Sequence, residues 1–286
     1  QSLFGPLIVV PVTESLLCPD QDGNTRPCQV KRELVIPPQH SRWQQQVRVS
    51  NNQFKRGIYR AITYANTLNI DGGFVLDNAA ALLAENQQAD WNKAQMRFYL
   101  TDLRGLQSQP VLEMGGDKRV FAFPGDEGRN PLATGYSALN LPAGWMERKG
   151  EQPFHLSVTL NGMGRLQVIP AGAQMEVTMR ADWPHPAFYG GSLPEKSFHG
   201  KGFEAHWQNA FLTNRNNQWL NACLLRNDEA ACVSLKQLLQ PELQPGLGAD
   251  SAQNLKGGFA VNFIEPVNVY LMTDRAMKYA MLFLVI

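Results

Sequence analysis

The sequence predicts a mainly β fold: a large antiparallel β-sandwich-like domain, with room for two fused lobes, and a few short helices. Three observations carry that expectation. Polar and apolar residues alternate with period two in run after run, as in QVRVS, QMRFYL and QMEVTMRA, so each run can bury one face and wet the other. Turn residues punctuate these runs, with 24 glycines and 18 prolines in 286 residues. Stretches with helical character are short and confined to two places, residues 78–88 and 229–239. A hydrophobic content of 44% with 18% charged residues is that of an ordinary globular protein and argues against extended disorder.

In chain order, Pro6 to Ser15 reads as a buried strand, with Pro11 marking an edge or a bulge. QVKRELVIPP follows and closes a hairpin whose turn is Asp22-Gly23; Pro37-Pro38 and Pro11 are placed to blunt sheet edges. Gln46 to Leu76 gives three short β segments. Asp77 then caps the Ala-rich run NAAALLAENQQ, the best helix by propensity. QMRFYL is a strand, TDLRGLQS a tight helical turn, and VLEMGGDKRVFAF a hairpin turning at Gly115-Gly116. A polar, glycine-containing stretch at Pro142 to Gln152 divides an N-terminal β lobe, residues 1–145, from a C-terminal β lobe, residues 146–275. Three strands follow with turns at Gly162, Gly164 and Gly172, and GFEAHWQNAFLTN alternates like a further strand. Residues 219–248 change to helical spacing and read as an insertion, its helix ended by Pro241. KGGFAVNFIEPVNVYLMTD returns to strand pattern. The closing YAMLFLVI is wholly apolar but shorter than the ~20 residues of a membrane span. It reads as the start of a transmembrane helix over residues 276–286, with Arg275, Lys278 and Tyr279 as interfacial anchors; the competing reading is a last core strand.

Composition excludes more functions than it proposes. Lys and Arg number 26 against 25 Asp and Glu, so there is no electrostatic footprint for nucleic acid. PGDEGRNP lacks the strand context and spacing of a phosphate-binding loop. No G-x-S-x-G elbow and no H-E-x-x-H pair occurs. Asp20 and Asp22 begin like a calcium loop, but the twelfth position is Lys31 rather than Glu. Four cysteines form two local pairs, Cys18 with Cys28 and Cys223 with Cys232. They fit two disulfides of an oxidising compartment; four cysteines allow three connectivities, and a four-thiolate zinc site would need closer pairs. No cofactor is expected.

The most distinctive stretch is ADWPHPAFYGGSLPEKSFHGKGFEAHWQN, residues 181–209. It reads as a crossing between two β-rich segments, pinned by Trp183, Pro184, His185, Pro186, Phe188 and Trp207, because the prolines forbid a central strand through it. His185, His199 and His206, with Asp182 and Glu204, are the weak metal candidates, since imidazole and carboxylate suit zinc or nickel. The bland reading is that they hydrogen-bond an irregular loop. Trp183, Trp207, Tyr189 or Trp219 could also form a sugar platform, although aromatics in such number are more often core. His155, alternating with apolar neighbours, reads as a hydrogen-bonded sheet residue.

WPHPAF, then GFEAHW, flanked by GPLIVVPVTES at Gly5 to Ser15 and YLMTDRAMKYA at Tyr270 to Ala280, resembles the periplasmic domain of CreD-type inner-membrane proteins of Gram-negative bacteria. The RGIY element, Arg56 to Tyr59, resembles it too. The resemblance spans nearly the whole chain and is weakest between about Trp219 and Lys256. It implies a non-enzymatic periplasmic domain, anchored in the bacterial inner membrane by flanking helices, that supports envelope integrity and the response to envelope stress or β-lactams. Its expected partners are that membrane and envelope proteins or cell-wall components. The alternative is a periplasmic enzyme or binding module acting on envelope polysaccharide or lipid, which a deep pocket with converging polar groups would favour. The topology adds a geometric expectation. A strand at Leu7 to Thr13 leaves the membrane and one at Val267 to Met272 returns, so Pro6 and Thr273 should share one face of the domain.

Overall fold

A computed structural model of the chain describes residues 1–19, 24–56, 59–123, 135–208, 210–239 and 257–263. Among them, two mixed sheets of eight strands each stack face to face. The first sheet holds β1 (Ser2–Pro19), β2 (Thr25–Ile36), β5 (Gln87–Ala89), β6 (Gln95–Leu100), β9 (Gly135–Asn140), β11 (Arg165–Ile169), β13 (Pro186–Gly190) and β16 (Phe259–Phe263). The second, in the order β14-β15-β12-β3-β4-β10-β7-β8, holds β3 (His40–Arg56), β4 (Tyr59–Val75), β7 (Val111–Met114), β8 (Asp117–Val120), β10 (Glu151–Met163), β12 (Gln174–Ala181), β14 (Glu195–His199) and β15 (Gly202–Gln208). The expected β-sandwich is therefore present. It is not purely antiparallel, since β1 runs parallel to β11 and β3 parallel to β12. Both sheets take strands from either side of residue 145, so that boundary in the sequence does not separate one sheet from the other.

Alternation builds the core. Trp43 and Val47, Leu68 and Ile70, Leu156 and Val158, and Val177 and Met179 point inward from the second sheet and meet Ile8, Val10, Met96 and Phe98 of the first. β1 departs from this pattern, because Phe4, Leu7 and Val9 on its other face are fully buried as well. They lie under a third layer, the helices α1 (Ala210–Leu224) and α2 (Glu229–Leu239). A strand apolar on both faces must be covered on both, and the helical pair does this.

Several expectations are corrected. Gln46 to Leu76 forms parts of two long strands, not three short ones. Residues 78–88 form no α-helix: Ala79–Leu82 is one 3-10 turn, Asn78 makes no side-chain cap, and Gln87–Ala89 is taken by pairing with Val12–Glu14 of β1. A short run with only Ala79 buried has no face to dock, and nucleation of a helix is costly. The strand expected through GFEAHWQNAFLTN stops at Gln208, and α1 begins at Ala210, earlier than the 219–248 insertion. Pro11 lies in an interior strand: its carbonyl accepts from the Asp90 N–H where β6 hands over to β5, so its missing N–H falls outside both ladders. The expected helix at 229–239 and the Gly115-Gly116 hairpin are as described. Asp22-Gly23, the 276–286 segment, Arg275, Lys278, Tyr279 and Thr273 lie outside the described residues.

Candidate functional surfaces

The aromatic crossing carries the chain from one sheet to the other. β12 ends at Ala181, Asp182 to His185 cross over, and Pro186 opens β13. Trp183 and Trp207 are 6% and 2% exposed, and the Trp183 indole donates to the His185 carbonyl at 3.1 Å. Phe188 packs edge-on against Phe203 and Trp207 at 5.4 and 5.9 Å, and Trp207 stacks on Phe259 at 4.6 Å. These tryptophans are core, which removes them as a sugar platform.

The metal candidates separate into individual hydrogen-bonding roles. Asp182 accepts from the Val49 N–H at 2.7 Å, extending the β12–β3 pairing by one step. His199 contacts Ser197 Oγ at 3.0 Å, and His206 contacts Thr178 Oγ1 at 3.1 Å. Glu204 receives Arg180 Nε and Nη2 at 2.9 and 3.2 Å, and this hydrogen-bonded guanidinium holds its carboxyl below the usual glutamate range. His199, Glu204 and His206 share the outer face of the second sheet, while His185 sits on the crossing. Among the described residues no three His, Cys, Asp or Glu side chains converge as a metal site.

That outer face holds what the sequence reading missed. Strand pairing lines up Glu176, Arg42, Asp71, His155, Glu113 and Lys118 in one row across six strands, carboxylates alternating with Arg, His and Lys side chains. His155 Nδ1 lies 2.7 Å from Asp71, Lys118 Nζ 2.8 Å from Glu113, and Arg42 Nε 3.3 Å from Glu176. A parallel row of Thr178, Gln44, Asn69 and Ser157 is uncharged. Three depressions, of about 580, 360 and 200 Å³, open on this face; the middle one is lined by Gln44, Gln46, Thr67, Asn69, Thr178 and Arg180. Period two in each strand announces an outward polar residue, but only strand order shows which ones become neighbours.

The cysteines pair locally. Cys18 bonds Cys28 across the β1–β2 hairpin, and Cys223 bonds Cys232, so all four are oxidised. The second bridge joins the end of α1 to α2. α1 is also clasped by its amides: Asn221 Oδ1 and Nδ2 pair with the N–H and C=O of Val35 in β2 at 2.9 and 2.8 Å, and Asn217 does the same for Gly172, in the turn between β11 and β12, at 3.0 and 2.6 Å.

At one pole the start of β1 and the end of β16 lie on either side of β11. The Gln1 amino group donates to the Arg165 carbonyl at 2.9 Å, Tyr64 Oη donates to the same carbonyl at 2.7 Å, and the Phe263 N–H donates to the Gly164 carbonyl at 2.6 Å. β1 starts here parallel to β11, and β16 arrives here antiparallel to it, so one strand and about 10 Å separate them.

A family model described as inner membrane protein CreD matches residues 1–286. The chain belongs to the CreD family. An Escherichia coli (strain K12) relative, "Inner membrane protein CreD", is 27% identical over 290 residues, which cover 99% of this chain and 55% of that protein. This CreD-family chain thus spans about half the length of the curated relative it matches. Among solved structures, an M1 zinc metallopeptidase from Deinococcus radiodurans is similar at a TM-score of 0.27 and 10% identity, covering 60% of this chain and 38% of that one. A proposed nutrient binding protein from Legionella pneumophila is similar at a TM-score of 0.34 and 8% identity, covering 86% and 88%. At those scores neither likeness bears on function. No helix among the described residues is long and apolar enough to cross a membrane.

Proposed function

We propose that this chain is the periplasmic domain of a CreD-family inner membrane protein, a non-enzymatic module that supports envelope integrity and the response to envelope stress or β-lactams. The observation that carries the compartment is the pairing of all four cysteines in two local disulfides, since such bonds persist in oxidising compartments and are rare in a reducing cytoplasm. Among the described residues, the apolar side chains packed between the two sheets and the solvent-open depressions of the outer face support an interaction module over the alternative of an enzyme acting on polysaccharide or lipid.

The test uses the full-length protein in its native cells. Thiols are trapped by acid quenching and mass-tag alkylation, and protease is added to spheroplasts. All four cysteines should be untagged until reduced, and the domain should be digested without breaking the inner membrane. Free thiols in quenched cells, or a domain protected in intact spheroplasts, would remove the periplasmic assignment.

A further inference from the structure

The row on the outer face of the second sheet has an order that reads the same way from either end. Glu176, Arg42, Asp71, His155, Glu113 and Lys118 stand on β12, β3, β4, β10, β7 and β8, one residue per strand, carboxylates alternating with Arg, His and Lys. An alternating row with an even number of members is its own complement when reversed. A two-fold axis parallel to the strands and passing between β4 and β10 makes that reversal, because it lays β4 over β10, β3 over β7 and β12 over β8 of a second copy turned face to face. Asp71 then meets His155, Arg42 meets Glu113 and Glu176 meets Lys118, each contact made twice. Within the row no carboxylate faces a carboxylate.

The surroundings of the row agree with this arrangement. In the next two rows the same axis sets Asn69 over Ser157 and Thr67 over Thr159, amide and hydroxyl groups that both donate and accept. The depression of about 580 Å³ beside the β7–β8 turn is lined by Asp71, Glu113 and Asp117 together with His155 and Lys118, and it lies where Arg42 of the second copy arrives. Arg42, Asp71, Glu113 and Lys118 each keep half or more of their side-chain surface exposed, so they can be shared between copies without uncovering anything buried. The overlap takes in thirteen positions on each of β4 and β10 and four on each flanking strand. At about 3.3 by 4.8 Å per residue this is roughly 700 Å² per copy, close to the ~800 Å² per partner of a stable complex.

We propose that this face is a homodimer surface, on which a second copy of the chain docks about a two-fold axis between β4 and β10. The occupant follows from charge complementarity: the row fits its own reverse, whereas a partner of one sign meets a like charge on alternate strands. Exposed ion pairs are individually weak and screened by salt, so the dimer is reversible and favoured at low ionic strength. Sheet twist keeps the copies closest at the axis, which makes Asp71 with His155 and Arg42 with Glu113 the deciding contacts. The inference goes beyond the periplasmic reading and does not depend on it.

The experiment is sedimentation equilibrium of the 286-residue chain over a range of concentrations, at low and high salt. The parent should move from monomer to dimer as concentration rises, and salt should oppose the shift. Symmetry duplicates every like-charge contact, so Arg42→Glu alone and Glu113→Arg alone should each weaken self-association by about 100-fold or more. Mixing these two variants makes both contacts opposite in sign again, and the mixture should form a heterodimer about as readily as the parent dimerises. Arg42 and Glu113 are three strands apart, about 14 Å, so no contact within one chain can produce that rescue. Melting temperatures of dilute protein, in which the copies are separate, should match the parent and show that each sandwich is intact; Arg42→Gln and Glu113→Gln serve as milder substitutes, each weakening self-association in the same direction. A parent that is monomeric at every concentration, a dimer indifferent to salt and to both reversals, or a mixture that associates no better than its components overturns the proposal. Each of these results leaves the compartment untouched, whereas free thiols in cells would sink the compartment and leave the dimer standing.

Discussion

The outer faces of the two sheets have opposite fates. On the first sheet, Phe4, Leu7, Val9, Val35, Tyr99 and Ile169 point outward and are buried beneath α1 and α2. On the second, the outward residues are Arg42, Gln44, Gln46, Thr67, Asn69 and Asp71 and their neighbours, and they meet solvent. The difference originates in the strands. β3 and β4 alternate, so one face satisfies itself in water, whereas LFGPLIVV in β1 is apolar on both sides and makes a third layer necessary. The helical pair is thus a structural consequence of β1, more than two hundred residues earlier.

The sharpest way to break this comparison is to place one charge on each face. Leu235 of α2 is fully buried against the first sheet, and Leu235→Asp should cost more than about 4 kcal/mol, because an unpaired carboxylate has no partner there. Should that variant fail to fold, Leu235→Ala, expected to lose about 2–5 kcal/mol, gives a measurable urea midpoint. Thr67→Asp on the open face should stay within about 1 kcal/mol of the parent. Equal losses at Leu235 and Thr67 would mean that the open face is covered in solution.

A smaller effect tests how the cover is held. Asn221 stands in for a missing neighbouring strand by pairing with both backbone groups of the buried Val35. Asn221→Ala leaves that N–H and C=O unmatched, and urea unfolding should show a loss of about 1–3 kcal/mol. Gln44→Ala, an amide of similar kind on the open face, should change stability by less than about 0.5 kcal/mol, since water replaces what it loses. A neutral Asn221→Ala would show that apolar contact alone retains α1.

These amides also explain where the sequence was hard to read. α2 was legible because Ala231, Leu235, Leu238 and Leu239 recur at helical spacing. α1 was not, because its inward face is Thr213, Asn216, Asn217, Leu220 and Asn221, so the stripe that marks it is polar. The crossing at Trp183 to Phe188 was visible through its prolines and aromatics, and the cysteine pairs through their short separation. The row from Glu176 to Lys118 was invisible for a different reason: each residue sits on its own strand, and a parallel β3–β12 pair separated by more than a hundred residues fixes their register. The failed helix at 78–88 shows the reverse case, propensity overruled by the pairing of Gln87–Ala89 with β1.

The gentlest test of the comparison is pH, because the two faces titrate at opposite ends of the scale. Burial pushes the Tyr99 phenol on the covered face above its ordinary value of about 10. Below that value both folded and unfolded chains keep the proton, so its contribution is fully present; as pH rises further the unfolded chain ionises first and stability is lost. Tyr99→Phe should therefore flatten the fall of the urea midpoint above about pH 10. On the open face, Arg180 holds the Glu204 carboxyl below its ordinary value, so any contribution is present above about pH 4.3 and fades as pH falls through the depressed value. That pair is exposed and screened by solvent, so its signature belongs to the titration rather than to the stability. Carbon-13 carboxyl shifts should show the Glu204 midpoint rising in Arg180→Ala while the melting temperature stays put. A melting temperature that dropped with Arg180→Ala, and an alkaline limb indifferent to Tyr99→Phe, would reverse the assignment of which face carries the stability.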